Sequence, residues 1–320
     1  MIIKCQNTKT GTIYDITTLV ESLTHETYIS DQPGKCSFTV INDPSGIFEI
    51  VNGSIIDITD AGKGIFHGYV FSMETSEDRK NKIIAYDQIR YLQNDEVYVT
   101  SEMTASQIFE KVCADSLPTS IYKVITPSVY IPETHVHKSK LYEVIKYGIE
   151  RSNINEKDKY YIIRDNYGTL EFTELAQLKT NYIIGNESLL TNYTYKIDID
   201  SNTFNTIKII RDNKESGKID SWIVKDSETM AQWGTLQMVE TAGAEMNEAQ
   251  IIELANNYMK LYNREKQTMK ITAIGIPELL AGNGFTLEVK ELGIKQDMWI
   301  TSASHEYKEG SHIMSLEVFI

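Results

Sequence analysis

His135 and His137, two residues apart with Glu133 beside them, come closest in this chain to a metal site, since alternate residues of a strand share one face. No fourth ligand is suggested, and the trio reads as a solvated loop. Asp198-x-Asp200-x-Asn202 begins like a calcium loop. The glycine that turns such a loop would fall on Thr203, and its bidentate glutamate on Ile209, so the stretch reads as polar residues on an exposed strand face. Gly62-Lys63-Gly64 lacks the upstream glycine and downstream hydroxyl of a phosphate loop. There is no G-x-S-x-G elbow, H-E-x-x-H helix, Walker A loop or dinucleotide fingerprint. Carboxylates are plentiful, but a glycosidase needs two of them about 5–10 Å apart across a cleft, which spacing along the chain does not reveal. Cys5, Cys36 and Cys113 are isolated and read as reduced, partly buried thiols. The expectation is no catalytic set, no resident metal and no cofactor.

The elements that carry these residues are mostly strands. A chain of 320 residues is long enough for two or three domains. No apolar run reaches the roughly 18 residues of a membrane span, and MIIKCQNTKTG lacks the core of a signal peptide, so synthesis and folding in a cytosol are expected. The net charge of −14 divides as −6 over 1–97, −1 over 98–185 and −7 over 186–320. Acidic ends repel phosphate backbones, which disfavours nucleic-acid binding; they also keep a protein soluble.

Residues 1–97 hold about seven short strands parted by turn residues, among them Asp31-Gln32-Pro33-Gly34, Asn42-Asp43-Pro44-Ser45-Gly46 and the Ser76–Lys82 run. Gly68 in mid-strand predicts a bulge or a close backbone approach, and Asp87 caps the turn QIRYL. Residues 98–185 change character. Thr104-x-x-Gln107 is a capping box opening a helix that Pro118 follows, KSKLYEVIKYGIERSN is a second amphipathic helix, and Asn166-Tyr167-Gly168 turns a hairpin. Residues 186–320 return to strands, with a turn at Lys214–Lys218, a helical turn over Asp226–Gly234 and a long helix over 247–264 capped by Asn247 and Gln250. His305 is expected to pack in a strand that presents Trp299 and Thr301 on the same face. No sequence repeat joins the two strand-rich ends. The three tryptophans sit in apolar contexts, more like core than a sugar platform.

The run Gly275-Ile276-Pro277 with Leu279 and Gly282, the strand Trp299-Ile300-Thr301 with His305, and Asn263-Arg264 resemble the last domain of phage baseplate hub proteins, the late control D family in its Mu- and PBSX-like form. Ile65–Val70, Ala85-Tyr86-Asp87 and Arg90-Tyr91-Leu92 with Asn94 resemble that family's first domain, and Asn205, Asp226 and Gly234 match it further on. The middle matches in element order only. The resemblance implies a mainly β protein with an α+β insert: β-barrel-like hub domains at 1–97 and 186–320 around an α/β domain at 98–185. Its matching residues, Gly68, Asp87, Asn205, Gly234, Pro277, Gly282 and His305, are structural rather than catalytic.

The resemblance further implies a homotrimer whose two look-alike modules per chain imitate a hexagon. Edge strands would meet between subunits. Such a ring would join a sixfold tail tube to a trimeric central spike, touch other baseplate proteins, and leave a channel for DNA and the tape-measure protein. DNA would pass without specific binding, and no membrane insertion is implied. The location would be the baseplate of a virion or tailocin. Two other classes stay open: a tail-associated peptidoglycan hydrolase and a glycan-binding tail module.

Overall fold

A computed structural model describes residues 1–41, 48–77, 80–117, 120–200, 202–213, 218–243 and 246–319. The turn expected at 42–46, Pro118, residues 78–79 of the charged run and residues 214–217 lie outside them.

The first strands are β1 (Ile2–Gln6), β2 (Ile13–Asp15), β3 (Val20–Tyr28), β4 (Lys35–Ile41), β5 (Ile55–Asp60), β6 (Lys63–Thr75) and β7 (Lys80–Tyr86). Their apolar residues alternate, and Cys36, Phe38 and Val40 are buried with Ile56, Ile58 and Ile83 in one core. A 3-10 turn over Gln88–Gln93 leads into β8 (Asp95–Thr100), α1 (Ala105–Ser116), β9 (Ile121–Val124), β10 (His135–Lys140), α2 (Leu141–Asn155), β11 (Tyr161–Asn166) and β12 (Thr169–Glu174). The capping box at Thr104 and Gln107 starts α1 as its spacing predicts. The two helices pack on β11 and β12 around Phe109, Ile145 and Phe172.

Then come β13 (Lys179–Gly185), β14 (Leu190–Asp198), β15 (Thr206–Asn213), β16 (Lys218–Lys225), α3 (Ser227–Trp233), β17 (Gln237–Thr241), α4 (Glu248–Tyr262), β18 (Lys266–Ile274), β19 (Gly284–Val289), β20 (Ile294–Lys308) and β21 (Ser311–Phe319). Asn247 and Gln250 form the predicted reciprocal cap of α4. That helix lays Ile251, Leu254, Ala255 and Tyr258 on Ile207 and Ile209 of a separate three-stranded sheet, β16-β15-β17, with its own core.

The fold is mainly β with α/β additions, as expected, but the strand-rich parts are not two closed barrels. They share one 13-stranded sheet, continuous because β3 pairs antiparallel with β20. Each half still wraps its own core, the second around Ile271, Phe285, Ile300 and Leu316. Against the segments read from sequence, β13 falls in 98–185 yet pairs with β19, and the β15–α4 unit falls within 186–320.

The halves repeat one another. The first runs β1-β5-β6-β7-β4-β3 and the second β13-β19-β20-β21-β18-β14. The first pairing differs in direction, antiparallel for β1 with β5 and parallel for β13 with β19, and the β5–β6 ladder slips between Ile58 and Thr59 where β19–β20 runs without a slip. The correspondence is one of register. The β3–β4 ladder slips between Val20 and Ser22, and the β14–β18 ladder slips between Leu190 and Asn192. β6 slips against β7 between Val70 and Ser72, and β20 against β21 between Ile300 and Ser302. Such bulges bend a strand and let a sheet curl round a core. The turns entering β5 and β19 match as well. Gly53 N–H donates to Val70 O at 2.7 Å and Gly282 N–H to Ile300 O at 2.8 Å.

Candidate functional site

Several of the residues singled out from sequence, Asp87, Pro277, Gly282 and His305 among them, fall at two seams between units. The first seam is the β3–β20 ladder, where His25 stands opposite His305. Both are buried, and their ring centroids lie 6.4 Å apart. His305 Nε2 lies 2.9 Å from the Leu279 carbonyl, which can only accept, so that nitrogen carries the proton. Nδ1 then accepts from His312 Nε2 at 3.0 Å. Burial, with His312 adding to it, pushes the His305 imidazole down to about 4, and burial beside His305 pushes His25 down to about 3. The seam holds two buried, neutral histidines.

The expected shared face of Trp299, Thr301 and His305 does not form. Met298 and Ile300 are buried before the bulge and Ala303 and His305 after it, so the slip at Thr301 inverts the alternation and puts Trp299 on the other face. Trp299 lies over Gly284, where a Cβ would come within 2.5 Å of its ring.

Residues 275–283 lock this seam to its surroundings. Gly275 lies flat against the His312 ring. Pro277 stands between buried Ile276 and Glu278, and Glu278 pairs with Lys63 of the first module. Ala281 N–H donates to Thr27 Oγ1 at 2.9 Å. Gly282, at φ +88°, sits where a Cβ would lie 2.7 Å from Ile162 of the middle domain. Pro277, Gly282 and His305 thus come together.

The second seam joins the first module to the middle domain. Asp87 caps the 3-10 turn by accepting from Ile89 N–H at 3.0 Å, and also accepts from Gly34 N–H at 2.8 Å. Asp165 accepts from Gln88 N–H at 3.2 Å and Gly168 N–H at 2.6 Å. Burial, reinforced by Asp165, raises the Asp87 carboxyl well above the ordinary range, and burial lifts Asp165 to about 6. Tyr167, at the hairpin tip, covers Gly64 and donates to Asp57 at 2.6 Å. Gly68 lies in β6, where a Cβ would meet the Tyr86 carbonyl at 2.4 Å. Sequence reading missed Asp165, whose contact across the seam, Gln88, lies 77 residues away along the chain.

Asn205 and Gly234 meet elsewhere, at α3. Asn205 donates to Gly234 O at 2.8 Å and accepts from Leu236 N–H at 2.9 Å, while Asp226 caps the helix start. His135 stacks on Tyr147, and buried His137 bonds Thr100 at 3.0 Å. Among the described residues no group of three or more His, Cys, Asp or Glu is placed to hold a metal ion, and no helix is long and apolar enough to cross a membrane.

A family model described as YQBQ-like matches residues 23–319, from within β3 of the first module to the end of β21. The chain belongs to the YQBQ-like family. Among relatives of this member, the uncharacterized protein YqbQ of Bacillus subtilis (strain 168) is 28% identical over 276 residues, covering 85% of this chain and 82% of that protein. The phage-like element PBSX protein XkdQ of the same organism is 25% identical over 307 residues, covering 94% and 92%. In fold, the YQBQ-like chain is similar to a 43 kDa tail protein of prophage MuSo2 from Shewanella oneidensis, with a TM-score of 0.73 at 13% identity and 99% and 98% of the two chains covered. These agree with the Mu- and PBSX-like resemblance.

Proposed function

We propose that this YQBQ-like chain is a structural subunit of a phage-type tail baseplate, a hub that matches symmetries and makes or breaks no bond. One observation carries the reading: the chain contains the same six-strand module twice, in the same strand order and with two bulges and an entry turn in common. Three copies then supply six near-equivalent modules, a threefold object with a sixfold face. One face would take a hexameric tail tube and the other a trimeric spike, with other baseplate proteins around them. The acidic character of the chain suits a channel that DNA and a tape-measure protein traverse without sticking. A PBSX relative and a prophage tail protein of the same fold support this assignment.

Mass photometry and negative-stain imaging test it, on the purified chain alone and mixed with its tail-tube and spike proteins. Ring-shaped trimers are expected. Monomers in every mixture would overturn the reading. A cleared band on a peptidoglycan zymogram would favour a hydrolase instead.

A further inference from the structure

The seam inside the chain joins a half-covered long strand to the edge of a sheet module. β20 is longer than its neighbour β19, which covers it only from Ile294 to Trp299. Its remaining half, Ser302–Lys308, pairs with β3, the edge strand of the first module. By the register given above, β6 corresponds to β20 and β14 to β3. β6 likewise outruns its neighbour: β5 covers it only to Tyr69, and Val70 meets the turn at 53–54. Beyond this, Ser72–Thr75 pair with β7 on one side, and among the described residues no strand takes the other. Among the described residues β14 pairs with β18 alone. The described sheet thus has a half-covered long strand, β6, and an open edge, β14, equivalent to the two strands already joined inside the chain.

We propose that β6 of one copy pairs antiparallel with β14 of the next, in the register of the internal seam. This rests on the hub reading above and names the contact that would close its ring. Transferring the β3–β20 register sets Ser72 opposite Asp198, Met73 opposite Ile197, Glu74 opposite Lys196 and Thr75 opposite Tyr195. The side chains agree with this pairing, although it was derived from backbone register alone. Met73 and Ile197 are 42% and 51% exposed in the single chain, and they take the places of Ala303 and Thr27 on the covered side of the internal seam. Glu74 meets Lys196, an opposite-charge cross-strand pair; Lys196 already pairs with Asp198 of its own strand at 2.7 Å. Two open strand edges that would otherwise invite random association satisfy each other. The contact is head-to-tail, so it forms a ring only if the rotation closes.

The test is a disulfide between directly opposed positions in the full chain, Glu74→Cys with Lys196→Cys, oxidised under conditions where rings form. The expected result is reducible covalent trimers from the double variant. Mixing the two single variants should give covalent dimers only, and the shifted pair Glu74→Cys with Thr194→Cys should give none. Rings that form without this cross-link, or that cross-link as well in the shifted register, overturn the seam and leave the hub reading standing. A chain that stays monomeric in every mixture overturns the hub reading and the seam with it. As a second readout, Glu74→Lys should lower ring yield and Glu74→Lys with Lys196→Glu should restore it; failure of the double exchange to restore rings counts against the pairing.

Discussion

Gly53 and Gly282 occupy one position in two copies of the same module. Their φ angles are +86° and +88°, and each donates its N–H to the strand residue just before a bulge, Val70 or Ile300. Their surroundings differ. A Cβ at Gly53 would find its nearest neighbour at 3.7 Å, whereas at Gly282 it would lie 2.7 Å from Ile162. Gly53→Ala should therefore cost only the backbone strain, about 1–2 kcal/mol. Gly282→Ala should cost more, because the middle domain must also move. Denaturant midpoints of the two variants give the comparison, and equal losses would contradict it.

The histidine seam should make the fold sensitive to acid. His25 and His305 have folded values depressed to about 3 and about 4, below the unfolded value near 6.5. Their contribution is complete above pH 6.5 and is lost as the pH falls toward 4, with a slope of up to about 1.4 kcal/mol per pH unit for each histidine. His305→Gln, which can still donate to Leu279 O, should flatten the stability profile over that window.

Asp165 has the opposite sign. Its folded value is raised to about 6, so its contribution is complete below the unfolded value near 3.9 and is lost as the pH rises through 6. Relative to the parent, Asp165→Asn should gain stability on going from pH 5 to pH 8. Urea titrations at the two values would show it, and a parallel shift of both proteins would not.

Asn205→Ala should remove the side-chain partner of Leu236 N–H and of exposed Gly234 O, at a cost of about 1–3 kcal/mol, chiefly for the Leu236 N–H. Faster hydrogen exchange confined to α3 and the start of β17 is the expected local sign.

Short-range chemistry was legible in the sequence. The caps at Thr104 and Asn247, the Asn166–Gly168 hairpin and the helical turn between Asp226 and Gly234 each depend on residues within one turn of each other. Period-2 reasoning failed at Thr301, because a single extra residue inverts every side chain after it. The module repeat was implied by the family resemblance but leaves no repeat of residues, because a core position asks only for apolar volume. Cys36, Phe38 and Val40 in β4 stand where β18 has Met269, Ile271 and Ala273. The β3–β20 seam and the Asp87–Asp165 joint bring together residues remote in the chain, and no local pattern marks such meetings.

One difference between the modules bears on engineering. The hairpin β3–β4 is bridged by a tight turn, whereas its counterpart β14–β18 is bridged by residues 199–265, with Asp198 and Lys266 still facing each other at the base. A whole folded unit stands where six residues suffice in the other copy. That point should accept other cargo of the same end-to-end span, or a plain turn, while the ladder beneath keeps its register. A chain of this fold could in this way gain or shed an accessory without any change to the paired modules that carry it.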